Sequence, residues 1–145
     1  MSEQNTVSMK LWNVAAKVAN LDAEITFVEN LGGFLVLDEV LSLEGQSIRV
    51  VLMKWADKYL HLFGKAVYES HLGVELPLGL CHVVMEVSDL NLQRCRAVEA
   101  GAREIMPQQF VSAGFGTRDV AFMRSPGGIL FELIRVHENR VPELP

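Results

Sequence analysis

From Leu11 to Val18 the chain alternates, setting Val14, Ala16 and Val18 against Asn13, Ala15 and Lys17, which predicts a β-strand with two unlike faces. The period then changes. Leu21, Ile25 and Val28 recur at helical spacing, Asp22 and Glu24 fall in the first turn, where negative charge complements the helix dipole, and Gly32 suits a left-handed cap. Strands are predicted at residues 34–40 and 47–55, on either side of Leu-Ser-Leu-Glu-Gly, and at residues 59–63 after a turn at Ala56, Asp57 and Lys58.

The same order returns in the second half. Cys81, Val83, Met85 and Val87 form an apolar face with His82, Val84 and Glu86 opposite; a helix from Leu90 to Ala100 opens at Ser88 or Asp89 and closes at Gly101. A strand at residues 103–106, a long loop through Gly114-Phe115-Gly116, a strand at 118–124, a turn at Ser125-Pro-Gly-Gly128 and a strand at 129–136 complete it. Asn13 and His82, Leu21 and Leu90, and Gly32 and Gly101 are each 69 residues apart, so one shift superposes strand, helix and cap. The chain reads as a duplicated strand, helix and three-strand module, residues 10–65 and 79–136, within one domain of residues 1–145. Residues 67–77 link the modules, and 137–145 form a loose tail.

Composition narrows the function. With half of its 145 residues hydrophobic, the chain suits one folded core. No apolar run nears the roughly 20 residues that cross a bilayer, and the polar start does not resemble a signal peptide, so a cytoplasmic protein with no membrane partner is expected. Cys81 and Cys95 read as free thiols. A net charge of −5, with scattered Lys and Arg, offers no footprint for nucleic acid.

Each module closes on an apolar strand with one ionisable residue in its middle, His61 and Glu132. With Asn13 and His82 on the opening strands, they make four equivalent positions. Curvature of the strands into a half-barrel would point all four into one cavity, and two imidazoles, a carboxylate and an amide are donors for a divalent transition metal. A lone His82 would more often be a satisfied core histidine, but its pairing with Glu132 favours a ligand. Lys17 and Glu86 read as solvated rim charges. Arg118, after the Gly114-Phe115-Gly116 loop, can bind an anionic substrate group, although an exposed strand-end Arg is commoner.

The paired modules, the Gly79-Leu-Cys-His82-Val opening and the closing Phe122-Met-Arg-Ser-Pro-Gly-Gly-Ile-Leu-Phe-Glu132-Leu-Ile stretch resemble the vicinal oxygen chelate superfamily, over roughly residues 10–136. That superfamily includes glyoxalase I, methylmalonyl-CoA epimerase, extradiol dioxygenases and the bleomycin resistance proteins. The resemblance implies an α+β fold, two βαβββ modules in a curved mixed-sheet half-barrel. It also implies a metal-dependent lyase, isomerase or dioxygenase acting on a small substrate with adjacent oxygens. Fe, Zn, Ni, Mn or Co would be held by His61, His82 and Glu132, with Asn13 as a further ligand, a hydrogen-bonding neighbour or neither. His61 and Glu132 would be the catalytic positions, Arg118 would bind substrate, and a homodimer is expected. The first module departs from the pattern, since Asn13 stands where many members have His, and His61 where glyoxalases have Glu. A second expectation follows from that lopsidedness, a metal-free protein that sequesters a small molecule, as bleomycin resistance proteins do.

Overall fold

The computed structural model describes residues 8–144. The duplicated signals produce duplicated elements. Strand β1 (Met9–Lys17) runs into helix α1 (Leu21–Asn30), whose N-cap Asn20 accepts a hydrogen bond from the Ala23 N–H at 3.0 Å. Strand β5 (Gly79–Val87) runs into α3 (Leu90–Glu99), where Asp89 accepts from the Leu92 N–H at 3.0 Å. Gly32 and Gly101 follow the two helices with φ of 95° and 106°, the left-handed conformation expected of them.

In the first module β2 (Phe34–Leu43) and β3 (Gln46–Trp55) form a longer hairpin than the pattern predicts, turning on Glu44 and Gly45, both at positive φ. Strand β4 (Lys58–Phe63) completes the module. The linker holds one helical turn, α2 (Glu69–Leu72), that the sequence pattern does not announce. The second module also departs from its prediction. Only Arg103–Glu104 pairs as β6, and the stretch expected as a long loop contains β7 (Gln109–Ala113), a hairpin partner of β8 (Gly116–Arg124). Gly116 has φ of 117°, and a Cβ there would fall 1.9 Å from the Glu138 carbonyl oxygen. The turn therefore needs glycine to bring β8 against β9 (Leu130–Asn139).

All strands join one curled mixed sheet in the order β2-β3-β4-β1-β5-β9-β8-β6, with β7 added on β8. Within each module the first and last strands are parallel, β1 with β4 and β5 with β9. Antiparallel pairing of β1 with β5 joins the modules within the chain. The α+β half-barrel of two modules that the resemblance implies is the observed architecture.

The helices cover the convex face. Val28 of α1 packs with Val51, Met53, Leu60 and Leu62, while Leu90 of α3 packs with Val87, Ala121, Met123 and Leu133. Burying a side chain such as Val28 contributes about 1.5–3 kcal/mol. The concave face carries a separate cluster that includes Phe63, Tyr68, Val84, Val120, Phe122 and Ile134. Curling brings the ends of the sheet together, where the Gly114 N–H donates to Glu39 Oε1 of β2 at 2.6 Å.

Two bulges break the predicted alternation. One lies between Leu11 and Asn13, so that Trp12 and Asn13 both turn to the concave side; the other, at Ala15/Ala16, adds Cys81 to the concave cluster rather than to the face under α3. The segment from His137, expected as a loose tail, is docked instead. Strand β9 runs on to Asn139, Val141 is buried against Leu52 and Tyr59, and the Tyr59 hydroxyl donates to the Pro142 carbonyl. Lys17, expected as a solvated charge, is also buried. Among the described residues no helix is long and apolar enough to cross a membrane.

Candidate functional site

Register decides which side chains meet on the concave face. Ala15 of β1 pairs with His61 on β4 and with His82 on β5, so the two imidazoles flank one small residue across three strands. Neighbouring strands are about 4.8 Å apart, and both rings line the concave side. One pair further along, Val84 is flanked by Asn13 and Glu132, and Glu132 by Phe122 of β8. All four residues singled out from the repeat line the same cavity, together with Trp12 and Arg118. Its volume is about 70 Å³. That is well below the roughly 300–1,000 Å³ of pockets that enclose drug-sized ligands, so it admits a very small molecule or the reactive end of a larger one.

The polar atoms inside are under-satisfied. Asn13 Oδ1, His61 Nε2 and His82 Nε2 are buried without a hydrogen-bond partner. Such atoms cost roughly 1–3 kcal/mol each if nothing binds them, and they mark a place where a ligand would be stabilising. His82 Nε2 stands 3.4 Å from Glu132 Oε1, close enough for an ion pair but not aligned as a hydrogen bond. Its other nitrogen is fixed, because Nδ1 and the Tyr68 hydroxyl share a hydrogen bond of 2.8 Å. Phe63 stacks on the His82 ring at 6.0 Å, and Phe122 meets it edge-on at 5.7 Å. Ring plane and orientation are thereby set, with Nε2 turned toward Glu132.

Tyr68 is 1 % exposed, and burial, with the negative groups around it, raises its hydroxyl above the ordinary tyrosine range, so it remains a neutral phenol. His61 is shifted the other way. Enclosure first, then the neighbouring His82 and Arg118, push it down to about 3, and it stays neutral at physiological pH. A neutral imidazole offers a nitrogen lone pair to a metal ion. Glu132, with a side chain 12 % exposed, lies beside His82.

Sequence reading missed Tyr68, whereas Trp12 is one of the aromatic residues from which the sequence could build an apolar pocket. Tyr68 lies in the linker, outside both repeats, and Trp12 reaches the cavity only through the bulge. Glu69, beside Tyr68, was also missed; it pairs with Lys17 at 3.2 Å and accepts from the Ala66 N–H at 3.0 Å, anchoring the linker to β1. Arg118 sits inside the cavity wall and not at an exposed strand end, with 2 % of its surface accessible. Both cysteines are free thiols, Cys95 exposed and Cys81 half-buried.

The donor types fit a divalent transition metal: two imidazole nitrogens and an amide oxygen without hydrogen-bond partners, and a carboxylate, all on residues that line one cavity. Their positions are less complete. Among the described residues no three His, Cys, Asp or Glu side chains already stand as a set that could hold a metal ion. His82 and Glu132 are in contact, whereas His61 and Asn13 approach from the far side of Ala15 and Val84.

No protein-family model matches the chain, and comparison with curated proteins finds no relative. Solved structures do match. Methylmalonyl-CoA epimerase from Mycobacterium tuberculosis superposes with a TM-score of 0.67 at 25% identity, covering 88% of each chain. A variant methylmalonyl-CoA epimerase of Streptomyces coelicolor, in complex with 2-nitronate-propionyl-CoA, gives 0.69 at 19% identity over 89% of this chain and 98% of that one. A mutant 4-hydroxymandelate synthase from the same organism gives 0.66 at 16% identity over 91% of this chain and 49% of the synthase. These proteins share the paired-module half-barrel, and the chain has the fold of the vicinal oxygen chelate superfamily.

Proposed function

We propose that the chain is a metal-dependent enzyme of the vicinal oxygen chelate type, acting on a small organic molecule with adjacent oxygens. The observation that carries this reading is the set of three buried, unpartnered donor atoms facing one small cavity beside Glu132. His82, Glu132 and His61 would hold the ion, with Asn13 Oδ1 as a weaker donor. A divalent metal supplies Lewis acidity, stabilising negative charge that develops on a substrate oxygen. The chain's own part is then positional. Tyr68 holds His82 in place through Nδ1, a partner of the kind that commonly orients ligating histidines. The rings of Phe63 and Phe122 exclude water, and the Glu132 carboxylate exchanges a proton with the substrate carbon or oxygen that lies against it. Fe, Zn, Ni, Mn and Co all suit this donor set, and the reaction is a proton shift, as in a lyase or isomerase, or an oxygenation. A two-fold dimer accompanies this reading, and a solution mass measurement tests it.

Calorimetric titration of chelator-treated protein with Mn, Co, Ni and Zn tests the metal directly. One equivalent per chain is expected for at least one of them. His82→Ala and Glu132→Ala should each lower affinity by about 100-fold or more, and Tyr68→Phe by about 10-fold, in the range of losses caused by removing a partner of a ligand. Absence of binding by every ion would remove the metal from the account.

A second reading has its own observation. Because no three ligands are already gathered among the described residues, a metal-free protein that sequesters a small molecule of the bleomycin-resistance kind is the competing function. It is favoured if His82→Ala and Glu132→Ala leave ligand binding unchanged while the wild type takes up no metal.

A further inference from the structure

Arg118 is buried in the cavity wall and makes no direct ion pair among the described residues. Its guanidinium carbon lies 4.8 Å from the Trp12 ring centroid and 4.1 Å from that of Phe115. One nitrogen, Nη2, donates to the Phe115 carbonyl at 3.0 Å, while Nε is enclosed and has no acceptor. The group remains cationic at neutral pH, since burial lowers it only to about 10 and the charges of Glu132 and Glu86 act in the opposite sense. A desolvated cation is costly unless something pairs with it. Two aromatic rings closing on the guanidinium leave its N–H edge for that partner, and Arg118 lines the same cavity as His82 and Glu132.

We propose that Arg118 receives the carboxylate of the substrate, which makes the ligand of this cavity a small organic acid with further oxygens directed at the His82 and Glu132 end. This rests on the reading of the cavity as the substrate site, though not on the metal. A carboxylate is the anion that fits. It is planar, carries one delocalised charge and matches the guanidinium edge. A phosphate dianion would bring more charge and more acceptors into an enclosure of about 70 Å³ whose other walls are mostly apolar. Sequence placed Arg118 near substrate; the two ring contacts and the unpartnered Nε specify the chemistry.

The test uses Trp12, which touches Arg118, as a reporter. The indole N–H resonance is followed by NMR in chelator-treated protein, where no metal can hold the acid, during titration with pyruvate, its neutral amide and inorganic phosphate. Pyruvate should shift the resonance saturably and bind at least 10-fold more tightly than the amide or phosphate. Arg118→Gln should abolish that preference, and Arg118→Lys should keep the preference for carboxylate with weaker affinity. Circular dichroism establishes that both variants fold. Equal binding of acid and amide, phosphate binding as tight as pyruvate, an undiminished preference in Arg118→Gln, or no response at all would each overturn the assignment. A parallel titration with Mn, Co, Ni and Zn keeps the two proposals apart. Failure of the wild type to bind any of the four removes the metal and leaves the carboxylate site standing, whereas metal binding without acid discrimination does the reverse.

Discussion

Glu69→Ala should destabilise the protein by about 3–5 kcal/mol, the range observed when one partner of a buried ion pair is removed and the other is left uncompensated. The Lys17 and Glu69 side chains are 6% and 5% exposed and 3.2 Å apart. Without Glu69, the Lys17 ammonium keeps its 2.9 Å hydrogen bond to the Leu76 carbonyl and an exposed carboxylate, Glu75, at 3.6 Å. These groups compensate in part, which places the expectation toward the lower end of the range. The Ala66 N–H, which donates to Glu69, also loses its acceptor. The double variant Lys17→Met with Glu69→Leu should recover most of the loss, because it removes both charges from the interior. Urea unfolding of the two single variants and the double variant measures this as a coupling energy. If Glu69→Ala unfolds within 1 kcal/mol of wild type, the pair does not hold the linker as described. The pair also matters for the site, since Glu69 is adjacent to Tyr68, and loss of its anchor should weaken metal binding without touching a ligand.

The second large effect is a dependence of stability on pH that originates at His61. Its folded value, about 3, lies below the ordinary histidine value of 6.5 because enclosure, then His82 and Arg118, disfavour the charged ring. The sign follows from proton uptake. Above pH 6.5 neither state protonates this ring, and its contribution to stability is fully present. Between that pH and about 3 the unfolded chain takes a proton that the folded chain refuses, so stability declines by up to about 1.4 kcal/mol per pH unit from this group. Metal-free protein should therefore lose stability on moving from pH 7 to pH 5, before most carboxylates titrate, and His61→Gln should flatten that part of the curve. Unfolding midpoints at half-unit intervals measure the difference. Parallel curves for wild type and His61→Gln would show that His61 titrates normally and is not enclosed.

The architecture was legible because it is local and repeated. Alternation at Leu11 to Val18, helical spacing from Leu21 and left-handed glycines at 32 and 101 each depend on near neighbours, and their return after 69 residues gave the module order before any long-range contact was known. The concave face was legible for the same reason, since parity along a strand places His61, His82 and Glu132 on the side away from the helices. Features that depend on distant partners were not. Trp12 enters the cavity because pairing with β5, about 70 residues on, introduces a bulge, and alternation by itself puts it on the other face. Lys17 looked like a rim charge because strand parity says nothing about what covers the strand; its cover is the linker carrying Glu69. The last residues looked loose because they are polar and contain proline, yet Val141 and the Pro142 carbonyl find a place against Tyr59. Glycines around Phe115 suggested a loop where they in fact make the turn of the β7–β8 hairpin.

The site shows the same division. The repeat located four positions, and the structure brings all four to one cavity, but what surrounds them decides their chemistry. Tyr68 orients His82, two aromatic rings hold Arg118, and enclosure keeps His61 neutral. None of these relations is a spacing in the sequence.

The central claim is that His61, His82 and Glu132 converge on one metal ion. Anomalous diffraction at the cobalt edge, from crystals of chelator-treated protein soaked in Co²⁺, tests it most directly. A single strong peak is expected in the cavity, about 2.0–2.2 Å from His61 Nε2, His82 Nε2 and a Glu132 carboxylate oxygen. A cavity without anomalous density, or cobalt bound only at surface histidines such as His71 and His137, would contradict it.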